Sequence, residues 1–428
     1  MSVAAAFMLL LFVVAGAIGM PIGFAMIVSG FAYLLVTGKD IGLVAAQGIN
    51  GLFSSFILLA VPLFIFAAEV MTVSSISTRL LNFVVLIVGR VRGGLAYVNI
   101  IVSIIFAGMS GSALADAAGP GKLMIDMMTR DNRYPRAFAG ALTAASATIG
   151  PIIPPSIPMV IYGAISGTSI GALFLAGIVP GLLMGLVLAV QSFFVARRKN
   201  FPVEESFTFS EARVTSIRAV PPLMLPVILL GGIYSGAVTP TEAAAVAALY
   251  AIILAFVFRD MTFSTMWQTL LASARGTAIV AITVVGALFF NYVVAGERIP
   301  GMVAEWIASM SLSPMAFLLV TALLFLLLGA VFDTLLMLLV MVPILLPSVH
   351  ALGIDPVHFG VVVIVNMMIG LITPPYGELL FLISGVSKIP LAEIIREIWG
   401  FIVTLLVALL LIILFPDLVL FIPRAAGY

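Results

Sequence analysis

The chain is expected to be an all-α polytopic membrane protein, with about 10–12 membrane helices and two re-entrant helical hairpins set in inverted repeats. Three observations carry that expectation. Of its 428 residues, 63% are hydrophobic and 9% charged, against roughly a quarter charged in soluble domains. Apolar segments suited to a hydrocarbon core of about 30 Å recur from Val3 to Phe421. Two motifs of the first half return in the second at nearly one spacing. Only helices and closed barrels satisfy the backbone in lipid, and these runs are far longer than barrel strands.

The first element follows from the N-terminus, where Met1-Ser-Val-Ala-Ala-Ala6 lacks the cationic region of a cleaved signal. Apolar sequence continues past Gly19-Met20-Pro21, so a membrane helix is expected there. The basic clusters Arg90 and Arg92, then Arg130, Arg133 and Arg136, then Arg197, Arg198 and Lys199 belong in cytoplasmic loops by the positive-inside rule. Residues 93–129 therefore begin and end on the same side, with Gly108-Met-Ser-Gly-Ser112 near the centre and Gly119-Pro120-Gly121 beyond it. A hairpin that enters the membrane and returns fits this segment. From Arg136 the chain crosses outward through Ser156 to about Gly167 and returns through Leu173 to Val195. The polar stretch 200–218, with Glu204, Glu205, Glu211, Arg213 and Arg218, separates two halves.

Ile149-Gly-Pro-Ile-Ile-Pro-Pro-Ser156 recurs as Ile369-Gly-Leu-Ile-Thr-Pro-Pro-Tyr376, which matches Pro154 to Pro374. Gly108-Met-Ser-Gly-Ser112 stands opposite Gly329-Ala-Val-Phe-Asp333, which matches Ser112 to Asp333 at an offset differing by a single position. Two motifs in nearly one register imply an internal repeat. With Arg259 cytoplasmic, the helix at residues 276–295 runs outward and the second hairpin, residues 314–347, enters from outside. The next crossing then returns Lys388 and Arg396 to the cytoplasm, which makes the repeats inverted, as in secondary transporters.

Paired prolines inside a crossing remove backbone donors and free carbonyls, at about 3 kcal/mol or more each in water. The bland reading of Pro154-Pro155 and Pro374-Pro375 is a kink; the functional one is unwound backbone that coordinates a cation and substrate at the midplane. Ser110-Gly111-Ser112 would be a hairpin tip offering hard oxygen ligands suited to Na+, although small residues also serve close helix packing. Asp333 sits in an otherwise uncharged membrane stretch and needs a partner, either a cation or an arginine. Arg298 could fork a carboxylate or sulfonate, or snorkel to headgroups with Glu297 as its neutralising neighbour. Thr239-Pro-Thr-Glu242 reads as a helix start with a capping box. Ser206 or Ser210 to Arg218, and Thr262 to Arg275 with Trp267, could be amphipathic surface arms. His350 and His358 read as loop residues.

The exclusions are equally direct. A formal charge of +1 leaves no basic face for nucleic acid, and the absence of cysteine excludes disulfides and thiolate metal sites. No zinc, nucleotide or nucleophile motif is present, so neither a nucleotide-driven process nor an enzyme is expected. Asp333 lacks the second membrane aspartate of a protease motif.

The stretch from Ala144 to Gly163, Gly236-Ala-Val-Thr-Pro-Thr-Glu-Ala-Ala-Ala-Val246 and Gly370-Leu-Ile-Thr-Pro-Pro-Tyr-Gly377 resemble the large membrane subunit of TRAP (tripartite ATP-independent periplasmic) transporters. Gly19-Met-Pro-Ile22 and the Gly108 to Ala113 stretch fit as well, and the resemblance spans essentially the whole chain. It implies an elevator-type transporter of the bacterial inner membrane, importing a small organic anion with Na+ as coupling ion. The implied partners are a small four-helix membrane subunit and a periplasmic substrate-binding protein.

The chain would divide into scaffold helices at residues 1–92 and 221–295, and transport elements at 93–195 and 296–387. A cytoplasmic linker at 196–220 and a C-terminal helix at 388–428 complete it. Candidate Na+ ligands are Ser110, Gly111, Ser112, Pro154, Asp333, Gly370 and Thr373; candidate substrate contacts are Ser112, Ser156, Arg298 and Glu378. Glu378 departs from the family pattern, where an uncharged residue is expected; it could alter substrate choice, pair with Arg298 or face a water-filled cavity. The alternatives are a stand-alone Na+/anion symporter with paired hairpins and a passive anion channel.

Overall fold

The computed structural model describes residues 2–54, 56–203 and 208–428, and every regular element among them is helical. Glu204, Glu205 and Ser206, expected in the polar linker, lie outside the described residues. Seven described helices are long and apolar enough to cross a membrane, and nine shorter apolar helices accompany them. One of the seven, Thr334–Ala351, is the return arm of the second hairpin.

The first layer is built from continuous helices. Val3–Ala17 packs on Ile22–Thr37, which lies along Phe263–Gly296; Ala60–Val73 packs against both Pro240–Val257 and Phe263–Gly296. The arm expected at 262–275 is the start of the 34-residue helix Phe263–Gly296 and runs unbroken into the crossing. That helix is about 51 Å long, well beyond the hydrocarbon thickness. Thr262 caps its start and no proline interrupts it. The arm expected near Ser210 likewise continues into Phe209–Tyr234, begun by Thr208 and Glu211 as a reciprocal capping box. The expected box at Thr239 is present, with Thr239 N–H donating to Glu242 Oε2 at 2.7 Å and Glu242 N–H donating to Thr239 Oγ1 at 3.3 Å.

The second layer carries the repeat, and its register extends further than the motifs alone imply. The first hairpin turns at Gly111-Ser112 from Gly94–Ser110 into a return arm that runs from Ala113 through a π-turn at Ala117–Gly121 into Lys122–Thr129; the second turns before Asp333 from Pro314–Gly329 into the return arm Thr334–Ala351, which holds a π-turn at Met337–Met341. Gly94 and Pro314, which begin the hairpins, are separated by the same offset as Pro154 and Pro374, and so are Ala117 and Met337, which begin the π-turns. The broken crossings are Arg136–Ala147 with Ile157–Ser166, and Pro356–Gly370 with Glu378–Ser387. Arg136 and Pro356 keep that offset, and Ile157 and Glu378 exceed it by a single position. Both proline pairs carry a cis bond.

The halves are interlocked. Ile157–Ser166 packs on the second hairpin at Met337–Met341 and Val342–Ala351, while Glu378–Ser387 packs on the first hairpin at Ala113–Asp116, Ala117–Gly121 and Lys122–Thr129. Within each half, buried amides tie the hairpin to its crossing. Asn99 donates to Thr143 Oγ1 at 2.7 Å and accepts from Ser146 at 2.8 Å, and Ser103 donates to Ser146 at 3.0 Å. Asn366, the counterpart of Ser146 at the repeat offset, donates to the Ala322 carbonyl at 2.6 Å.

His358 is not the loop residue expected. It is buried in the Pro356–Gly370 helix with Nε2 2.9 Å from the Ile412 carbonyl, because the helix begins at Pro356 under the Asp355 cap. His350 lies in the last turn of Val342–Ala351.

Candidate functional site

Each hairpin tip meets the break in a crossing. In the first half, Gly111 ends the Gly94–Ser110 helix at φ +61°, a region that costs other residues about 1–2 kcal/mol. A side chain there would also strike the Pro155 carbonyl, 2.5 Å from the position of its Cβ. Only glycine lets the tip seat on the freed backbone. Ser112 then caps the next turn, its Oγ accepting from Ala115 N–H at 3.3 Å. Ser156 caps Ile157–Ser166, accepting from Met159 N–H at 3.2 Å and donating to the Pro151 carbonyl. Ser110, Gly111 and Ser112 are thus brought against the Pro154-Pro155-Ser156 break.

A residue that sequence reasoning missed stands behind this tip. Asp116 is 2% exposed and accepts from Ser110 Oγ at 2.6 Å, while its Oδ2 is buried with no partner among the described residues. That free oxygen lies 2.6 Å from where a Cβ on Gly150 would sit, directly beside the broken crossing. The signal was available: Asp116 is a lone carboxylate in an apolar run, like Asp333, and one turn and a half from Ser110.

In the second half the approach is glycine to glycine. A Cβ on Gly370 would lie 2.9 Å from the Gly329 carbonyl carbon. Tyr376 N–H donates to the Ala330 carbonyl at 3.3 Å, and Leu379 N–H to the Leu371 carbonyl at 3.1 Å, so the unwound stretch is tied to tip and crossing alike. Asp333 caps the return arm, with Oδ1 accepting from Leu335 and Leu336 N–H at 2.8 and 3.3 Å. The partner expected for it is therefore not an arginine. Glu378 takes the first position of Glu378–Ser387, directly after the second break. Thr373 Oγ1 donates to the Ile369 carbonyl at 2.7 Å, beside Gly370.

Asp333 at the second tip and Asp116 behind the first are buried or half-buried carboxylates of the kind suited to a cation. The half-helix N-termini at Ser156 and Gly377 present N–H groups suited to an anion.

Arg298 is joined to neither tip by a hydrogen bond or ion pair among the described residues. It is exposed, adopts φ +58°, and caps Ile299–Ser309 at a sharp change of direction. Glu297 does not neutralise it. That carboxylate accepts from Tyr33 at 2.6 Å and from Ser2 Oγ and N at 2.8 and 3.1 Å, contacts that hold it below the usual carboxylate range. Nor does Glu378 pair with Arg298: no ion pair joins them among the described residues.

Comparison with known proteins adds an independent line. Residues 9–418 match the family described as "Tripartite ATP-independent periplasmic transporter, DctM component". The chain is 44% identical over 407 residues to the sialic acid TRAP transporter large permease protein SiaM of Vibrio cholerae, covering 95% of each chain. It is 39% identical to the 2,3-diketo-L-gulonate TRAP transporter large permease protein YiaN of Escherichia coli, over 94% of this chain and 95% of that one. With the C4-dicarboxylate TRAP transporter large permease protein DctM of Pseudomonas aeruginosa it shares 40% identity over 87% of each. Among solved structures, the YdaH transporter of Alcanivorax borkumensis superposes with a TM-score of 0.66 over 88% of this chain and 87% of that one, at 14% identity. That likeness concerns the fold.

Proposed function

The chain belongs to the DctM family, the large membrane component of tripartite ATP-independent periplasmic transporters, and from that membership we propose that it imports a small organic anion coupled to Na+. A periplasmic binding protein delivers the substrate and a small four-helix membrane subunit completes the permease. The observation that carries the Na+ reading is the matched seating of each hairpin tip on a broken crossing, with Asp116 behind one tip and Asp333 at the other. Ser110, Gly111, Ser112 and Pro154 line the first cation site; Asp333, Gly370 and Thr373 line the second. Ser112, Ser156 and Glu378 border the substrate. The substrates in the relatives' names are organic acids, which favours a carboxylate over a sulfonate.

Two ions suffice to concentrate a monoanion strongly. Each Na+ driven by about 100 mV and a tenfold gradient supplies roughly 2.3 plus 1.4 kcal/mol, while a monoanion entering costs about 2.3. One ion would concentrate substrate only about tenfold; two reach several thousandfold. The transport elements at 93–195 and 296–387 would move as one body against scaffold helices at 1–92 and 221–295, an elevator.

Uptake into proteoliposomes containing both membrane subunits and the cognate binding protein, with and without an inward Na+ gradient, tests the coupling. Flux indifferent to the gradient would sink it. Arg298, exposed and bonded to neither tip, is free to meet the substrate as the family resemblance implies, and Arg298→Ala should then weaken uptake at limiting substrate by roughly ten- to a hundredfold, the loss of a charge-assisted hydrogen bond pair. Unchanged uptake under those conditions would remove Arg298 from the site.

A further inference from the structure

We propose that the cytoplasmic end of the helix pair Ile170–Arg198 and Leu391–Leu414 holds the headgroup of an anionic phospholipid. The two helices pack side by side and enclose a cavity of about 430 Å³ between their basic ends. Three cations line it, Arg198, Lys199 and Arg396, with one carboxylate, Glu397. Lys199 Nζ is engaged by Glu397 Oε1 at 3.0 Å and also lies over the Phe138 ring. Arg198 and Arg396 make no ion pair or side-chain hydrogen bond among the described residues. Two guanidinium groups therefore remain for a ligand, and their planar forks match phosphodiester oxygens.

The surroundings distinguish a lipid from a soluble phosphate. Gln191 lines the same cavity, its Nε2 held over Gly400 while its Oε1 is buried without a donor. A glycerol headgroup carries hydroxyls that can donate there. From Arg198 an exposed apolar row runs into the membrane at helical spacing: Phe194, Val190, Leu186 and Leu182. On the facing helix, Val403 and Val407 continue the face that begins at Arg396 and Gly400. A charged cavity with exposed apolar rows leading from it along both helices suits one phospholipid, and basic pockets between helices on this side are where anionic headgroups bind.

Native mass spectrometry of the detergent-purified permease tests this, with phosphatidylglycerol and phosphatidylethanolamine offered at equal mole fractions. The wild-type protein should retain phosphatidylglycerol preferentially, and the Arg198→Gln/Arg396→Gln variant should bind it roughly 30-fold more weakly. Lys122→Gln/Arg130→Gln, elsewhere on the basic side, should bind normally. Phosphatidylglycerol should raise the melting temperature of wild type and not that of the double variant. Gly400→Leu, which fills the cavity with both arginines in place, should lose the lipid as well and guards against a folding defect. Equal retention of the two lipids, retention by the double variant, or displacement by inorganic phosphate alone would overturn the proposal. Displacement by the four-helix subunit would overturn it too, making this face a protein interface.

Discussion

At the scale of single residues, the site depends on positions where a side chain is forbidden as much as on those that carry one. Gly111→Ala combines a left-handed backbone with a Cβ 2.5 Å from the Pro155 carbonyl, so the tip must lift from the break. Na+-driven uptake should fall by tenfold or more, since about 1–2 kcal/mol is lost from the backbone alone. Gly236→Ala, at φ +70° with open space around it, supplies the control and should transport near normally. Similar loss in both variants would make backbone strain, not tip seating, the cause. The tips were legible in sequence because glycines, hydroxyls and paired prolines announce their backbone chemistry locally. Asp116 showed only as a lone carboxylate in an apolar run; its place behind the tip arises from the fold of the hairpin, which returns it onto Ser110 and against Gly150. Glu378 stands out in sequence as a departure, and only the fold places it at the start of the half-helix that follows the second break.

Among the elements, hairpin and crossing are joined by amides buried in an apolar core. Asn99→Leu removes the donor to the Thr143 hydroxyl and the acceptor of the Ser146 hydroxyl, which keeps the Thr143 carbonyl, and should destabilise the protein by about 2 kcal/mol. Asn366→Leu should cost less, because Asn366 Oδ1 is already buried without a partner among the described residues and its removal relieves that penalty. Melting temperatures in one detergent compare the two; a larger loss for Asn366→Leu would contradict the assignment. The repeat was visible from two motifs, yet the helix boundaries and the π-turns that share its offset were not. Those boundaries follow from capping and packing at residues whose types differ between halves, as Ser146 and Asn366 do. The surface arms are not separate for a related reason: polar and apolar stretches of one helix, such as Phe263–Gly296, differ in composition without any break in hydrogen bonding.

For the whole molecule, the proposed elevator makes a mechanical prediction that the absence of cysteine renders clean. Thr72 of Ala60–Val73 and Gly119 of the first hairpin face each other, with the Thr72 Cβ 3.7 Å from the Cβ position of Gly119. That spacing suits a disulfide. Thr72→Cys/Gly119→Cys should cross-link on oxidation and lose uptake, with recovery on reduction; a cross-linked protein that transports fully would refute movement between these elements. The interlocking of the halves has another consequence. Because each half's second crossing segment braces the opposite hairpin, loading one tip stiffens the support of the other, as two clasped hands tighten together. The two ions should then bind with positive cooperativity, seen as a Hill coefficient above one, and each ion should raise the other's affinity by the same factor, because such coupling is reciprocal.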